Sequence, residues 1–183
     1  MAYKGKIINN KKTGQQIRFI QTQKDTGGKL LEMESLFQPN SKEPVPHYHP
    51  FQEEDFVVLE GEIAVRLNGQ LKVFKQGDHF HINANEVHSM WNHSNQKAKV
   101  NWKVGPALDT EYFLENGIGI ANEKKTNEDG MPGILQVALL ANKFAHVFRI
   151  ARPSFLIQKI VFTVLTPFSY LAGYRPIYKK FIN

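Results

Sequence analysis

Pro46-His47-Tyr48-His49-Pro50-Phe51-Gln52-Glu53-Glu54-Asp55-Phe56-Val57-Val58-Leu59-Glu60-Gly61 holds two histidines and four acidic residues within an alternating, strand-like segment. In an extended chain, residues two apart face the same way, so His47 and His49 look to one side. An inward pair of imidazoles is a ready chelate for a divalent metal, and a carboxylate a few residues on completes a facial set. Glu54 shares parity with the apolar Phe56 and Val58, whereas Glu53 has the opposite parity.

Residues 15 to 104, which enclose this segment, read as many short strands separated by turn signals, the pattern of an all-β sandwich or barrel. Ile17 and Phe19 alternate with polar neighbours, Asp25-Thr26-Gly27-Gly28 supplies a turn, and Leu31, Met33, Ser35 and Phe37 share the next strand's parity. Downstream, Ile63 to Leu67 and Gln70 to Phe74 flank Asn68-Gly69. That dipeptide favours a two-residue type I′ turn, because both central residues must accept positive φ. Val100, Trp102 and Val104 form a late alternating strand closed by Gly105-Pro106. Between these lies a second chemically loaded stretch, Gly77 to Asn92, with His79, His81 and His88.

The two stretches together resemble the two motifs of the cupin superfamily, small β-barrels. The first motif reads His-x-His, three or four residues, Glu, six residues, Gly, and His47, His49, Glu54 and Gly61 fit it. Glu53 fits the alternative spacing, but Gly61 follows Glu54 by the required six residues, so Glu54 is the expected ligand. The second motif reads Gly, five residues, Pro-x-Gly, two residues, His, three residues, Asn. Gly77, His88 and Asn92 stand where it asks, with Asn83 and Asn85 replacing the Pro and Gly. Asn at 85 is a mild change, since Asn tolerates positive φ better than most residues. Ser41 replaces the leading Gly of the first motif.

The resemblance implies a mainly β fold, a double-stranded β-helix or jelly-roll barrel of about residues 14 to 105, with α-helices confined to the C-terminal third. It implies a metal held by His47, His49, Glu54 and His88. Three imidazoles and one carboxylate suit iron, manganese, nickel, copper or zinc, and affinity order alone does not choose among them. Tyr48, Glu53, His81 and Asn92 are the residues expected around the ligands or in a substrate pocket, with Tyr48, Glu53 or His81 as the proton-handling group. The expected function is an enzyme, an oxygenase or isomerase acting on a small organic substrate chelated to the metal. The alternative is a non-catalytic small-molecule-binding or sensing module. Cupin barrels commonly pair through a sheet face and exchange N-terminal strands, so a homodimer is expected. Residues 1 to 13 have little to bury unless a partner or a neighbouring sheet receives them.

The 183 residues, 42% of them hydrophobic and 22% charged, allow a real core and exclude disordered, collagenous and coiled-coil chains. Cysteine is absent, which removes disulfides, thiolate metal sites and cysteine nucleophiles. Met1 to Gly14 carries four lysines and no apolar run, unlike a secretory signal, so the expected location is cytoplasmic. Without a helix-turn-helix segment, nucleic acid is not an expected partner.

The charge is unevenly spread. Of the net +6, residues 1 to 133 contribute 16 basic against 17 acidic side chains, and no acidic residue follows Asp129. The chain therefore divides into a barrel domain over 1–120, a polar linker over 121–133 and an amphipathic helical extension over 134–183. Asp109 to Leu114 reads as one helical turn. The 3.6-residue spacing predicts a helix over Ile134 to Ile150, and Ser154 can cap a second one reaching about Thr166, where Pro167 bends or ends it. The extension carries seven basic residues, Lys143 to Lys180, among six phenylalanines. It either packs its apolar faces within the protein or associates weakly, but never spanning, with an anionic membrane surface, which would make the chain peripheral to the membrane.

Overall fold

The computed structural model of the chain describes residues 1–123, 125–127 and 130–182. Lys124, Glu128 and Asp129 of the expected linker, and Asn183, lie outside the described residues. In chain order the strands are β1 (Ile7–Asn9), β2 (Gln16–Gln21), β3 (Leu31–Phe37), β4 (His47–Tyr48), β5 (Glu53–Glu60), β6 (Glu62–Leu67), β7 (Gln70–Lys75), β8 (His79–Ile82), β9 (His88–Trp91), β10 (Ala98–Gly105) and β11 (Arg149–Ile150). They form two antiparallel sheets, ordered β1-β2-β3-β10-β5-β8 and β11-β4-β9-β6-β7. The sheets face one another without closing through continuous strand pairing, an open form of the expected jelly roll.

Alternation in the sequence becomes the inside and outside of these sheets. In β3, Leu31, Met33, Ser35 and Phe37 are all buried; in β5, Glu54, Phe56 and Val58 are buried between exposed neighbours. Phe56 and Val58 of one sheet meet Ile63 and Val65 of the other, with Ile82, Ala98 and Val100 completing the core. Each such side chain stabilises the fold by roughly 1.5–3 kcal/mol where it is large and fully buried. The β6–β7 hairpin turns on Asn68 and Gly69 at φ +48° and +86°, as its dipeptide requires. Asn85 takes φ +67°, the conformation for which the motif position asks. The first strand β1 lies against β2 of its own chain, so a neighbouring sheet receives the N-terminal residues.

Three expectations about helices need correction. The turn at Asp109 to Leu114 is the start of α1 (Thr110–Asn122), so helix is not confined to the last third. Gly117 and Gly119 make this a poor helix locally, but Ile118 packs with Ile17, Phe19 and Leu31, and tertiary burial overrides propensity. A side chain at Gly119 would sit 2.2 Å from the Phe181 ring, so the glycine lets the C-terminal segment cross the helix.

The helix over 134–150 stops early. α2 spans Ile134–Lys143, and the chain then turns so that β11 pairs with β4, Arg149 opposite Tyr48 and Ile150 opposite His47. The buried Phe144 and Val147 anchor this turn, and the edge of β4 gains a partner. Finally, α3 (Phe155–Leu171) runs through Pro167 to Leu171, and the Ser154 side chain makes no cap bond. Proline costs one backbone bond, but α3 is held along α2 by Asn142 Nδ2 to Thr166 Oγ1 at 3.0 Å and Ser169 Oγ to the Leu135 carbonyl at 2.8 Å. Among the described residues, no helix is long and apolar enough to cross a membrane.

Candidate metal centre

Strand pairing brings the motif histidines together. His47 on β4 lies directly opposite His88 on β9, and His49 follows one turn of the pleat from His47. Ligand atoms of His47, His49 and His88 all lie within 4.8 Å of one another. Glu54 reaches them from the other sheet, where its inward parity aims it across the interior. Its Oε2 lies 3.0 Å from His88 Nε2 and 3.5 Å from His49 Nε2.

Each histidine is anchored by its other nitrogen. Nδ1 meets a backbone carbonyl in all three: Val45 at 3.2 Å for His47, Val147 at 2.6 Å for His49 and Glu86 at 3.0 Å for His88. A carbonyl only accepts, so Nδ1 carries the proton and Nε2 faces inward as the donor to a cation. Two inward atoms, His49 Nε2 and Glu54 Oε2, are buried without a hydrogen-bond partner. Orphaned buried atoms are costly, and these two converge where a cation would satisfy both. The residues present fit a divalent metal.

Electrostatics agree with the geometry. Burial pushes the Glu54 carboxyl upward, but the neighbouring His49 and His88 outweigh it and hold the pKa at about 2. Burial, reinforced by His88 and His49, lowers His47 to about 3, so it is neutral and able to donate. At His88 burial acts downward, yet the Glu54 carboxylate outweighs it and raises the pKa above the ordinary value. The other Glu54 oxygen accepts a hydrogen bond from Trp102 Nε1 at 2.9 Å, which fixes the carboxylate's orientation.

The centre opens into a cavity of about 460 Å³. Phe56, Met90, Trp102, Phe113, Leu114 and Phe148 are among its walls, and apart from the four residues of the centre its charged side chains are Lys42 and Glu43. Glu43 is engaged by Arg66 at 2.8 Å and Ser89 at 2.6 Å.

The remaining expected pocket residues are elsewhere. Glu53 and His81 do not line the cavity, because strand parity turns both to the outer face of their sheet, where His81 bonds Asp55 at 2.8 Å. Tyr48 has the opposite parity to His47 and is likewise not in the wall. Asn92 is fully buried and spent on a turn. It donates to the Gln38 and Gln96 carbonyls, at 3.1 and 2.6 Å, and accepts from Ser94.

Two contributors escaped the sequence reading. The Val147 carbonyl on His49, and the Phe148 ring stacked on His47 at 4.6 Å, both come from the C-terminal extension. A backbone carbonyl has no sequence signature, and Phe148 lay inside an expected helix.

Residues 33–104 match the family model described as "Cupin domain". Among curated proteins, a quercetin 2,3-dioxygenase of Bacillus subtilis is 37% identical over 78 residues, 42% of this chain and 23% of that protein. The chain thus spans about a quarter of that relative's length. Solved structures of similar shape include an RmlC-like cupin from Shewanella frigidimarina, with TM-score 0.49 and 18% identity, covering 61% of this chain and 94% of that one. A predicted oxalate decarboxylase from Thermotoga maritima has TM-score 0.49 and 21% identity, with coverage of 58% and 99%. The stretch that matches the cupin domain model, residues 33–104, holds both sequence motifs in their places.

Proposed function

We propose that this protein is a metal-dependent oxygenase acting on a small, largely apolar molecule that chelates the metal through adjacent oxygen atoms. The observation that carries the reading is the inward Nε2 of three histidines, each locked by a carbonyl on Nδ1, beside a buried carboxylate with an orphaned oxygen. His47, His49, His88 and Glu54 would hold the ion. Bound there, a divalent metal supplies Lewis acidity and open positions for a chelating substrate.

The chain's own residues do the rest. Trp102 keeps the Glu54 carboxylate turned toward the histidines, and the carbonyls keep each ring in the donor tautomer. Phe56, Phe113, Met90 and Phe148 exclude water and favour a flat apolar body over a phosphorylated or highly charged one. Isomerisation by enol formation needs a free acid or base within hydrogen-bond reach of the substrate. The titratable side chains among the described lining residues are the centre itself, the engaged Glu43 and Lys42. That favours oxygenase over isomerase chemistry, as does the relative named a dioxygenase.

The test is oxygen uptake by protein loaded in turn with iron, manganese, nickel, copper or zinc, in the presence of apolar compounds bearing adjacent oxygen donors. Uptake with a redox-active metal and substrate together, and with neither alone, is expected. Tight binding of such compounds without oxygen uptake under any metal would leave a sensing module instead.

A further inference from the structure

We propose that α3 is a docking element for an anionic lipid surface, lying in the plane of the bilayer interface with its outward face immersed. The helix is built inside out. Its buried positions are Gln158, Phe162 and Ser169, two of them polar. Leu156, Ile160, Val161, Val164, Phe168 and Leu171 are instead exposed, Leu156 by 68% and Leu171 by 85%. At 3.6 residues per turn these six fall within an arc of about 140°, centred opposite the buried residues. A helix serving only a soluble fold would turn this arc inward.

The helix cannot rotate to hide it. Gln158 Nε2 donates to the Ile150 and Pro153 carbonyls at 2.8 and 2.6 Å, and Ser169 Oγ donates to the Leu135 carbonyl. The polar contacts therefore fix the apolar arc outward.

Charge identifies what covers the arc. Arg152 precedes the helix, Lys159 sits on it, and Arg175 and Lys179 follow it; all four are exposed. No acidic residue exists after Asp129, and among the described residues no carboxylate pairs with any of these four. A second copy is a poor occupant. Antiparallel pairing sets the Arg152–Lys159 end against the partner's Arg175–Lys179 end, and parallel pairing sets like ends together, so either way cations face cations. Phosphate headgroups answer the apolar arc and its charged flanks at once. The 17-residue helix rises only about 25 Å against a hydrocarbon core of about 30 Å, and its inner face is built into the protein, so it lies on the membrane and does not span it.

The full chain should float with phosphatidylcholine–phosphatidylglycerol vesicles at low salt, stay in solution with phosphatidylcholine alone, and be released as salt rises. Lys159→Gln/Lys179→Gln should weaken partitioning about 25-fold, at about fivefold per cation. Ile160→Glu/Val164→Glu should abolish flotation while thermal unfolding and bound metal stay as in the parent, because both side chains are exposed. If the glutamates disturb folding, the lysine pair still decides. Absence of flotation with the anionic vesicles, or equal flotation with neutral ones, overturns the proposal. So does a stable dimer that Ile160→Glu/Val164→Glu converts to monomer, since a second copy would then cover the face.

Discussion

Replacing Gly61 by Ala tests how tightly the first motif is tied to the sheet that carries Glu54. Gly61 has φ +72°, and an added Cβ would lie 2.4 Å from the Lys97 carbonyl oxygen and 3.2 Å from Ala98 Cα, both backbone atoms. The left-handed conformation costs a non-glycine residue about 1–2 kcal/mol. Relieving the contact requires the main chain to move by about 1 Å, beside the β5–β10 register shift at Lys99 and Val100, and overpacking of this kind costs about 1–3 kcal/mol. The total is about 3–4 kcal/mol. Gly69→Ala is the matched control: its φ is +86°, but nothing lies within 4 Å of the added Cβ, so only the conformational cost of about 1–2 kcal/mol applies. Urea unfolding followed by circular dichroism should place the Gly61→Ala midpoint about 1 M below that of Gly69→Ala, for a denaturant slope of about 2 kcal/mol per M. Equal midpoints for the two variants would refute the steric argument and leave only the positive φ.

Three further outcomes follow from the centre. His49→Ala or His88→Ala should purify without stoichiometric metal, whereas His79→Ala, on an exposed strand position, should retain it; elemental analysis that reverses this order would mean the wrong histidines had been assigned. The metal-free protein should lose stability as pH falls from about 6.5 toward 3, because the unfolded chain protonates His47 from its ordinary value of 6.5 and the folded chain does so only at about 3. Glu54 adds a loss of the same sign between 4.5 and about 2, and His88, with its raised pKa, acts oppositely, so His47→Gln should flatten the acid loss. Unchanged acid unfolding in that variant would count against a half-buried neutral His47. Trp102→Phe should keep the fold and weaken metal binding about tenfold by freeing the Glu54 carboxylate, measured by competition with a chelating dye; unaltered affinity would remove Trp102 from the centre's support.

The C-terminal extension has two working faces in this picture. Its inner side supplies the Val147 carbonyl to His49 and the Phe148 ring to His47, while β11 lengthens the sheet of which β4 is part. Phe148 also stacks on Phe113 of α1 at 4.9 Å, so the cavity wall joins two segments of the chain that the strands do not connect. Its outer side is the apolar arc of α3. Lys143 and His146 lie beside Asp109 at 3.6 and 3.1 Å, which ties the extension to the start of α1.

What the amino-acid order determines alone is whatever depends on a few neighbouring residues. Parity along β5 put Glu54 with Phe56 and Val58, Asn68-Gly69 specified a hairpin, and Asn85 accepted the positive φ its place demands, because pleat and turn geometry are local. The same parity set Glu53 opposite to Glu54, whereas the outward position of His81 follows from the pairing of β8 with β5, which sets it opposite Asp55. Contacts between distant segments carry no such period. His49 and Val147 are 98 positions apart, and only packing of the extension over the sheet edge selects that carbonyl. Packing likewise extends α1 past its glycines, ends α2 at Lys143 and carries α3 through Pro167, since in each case burial and side-chain bonding outweigh a local preference of about 1–3 kcal/mol. The orientation of α3 belongs to the same class: its composition fits either face, and the bonds of Gln158 and Ser169 turn the apolar one outward.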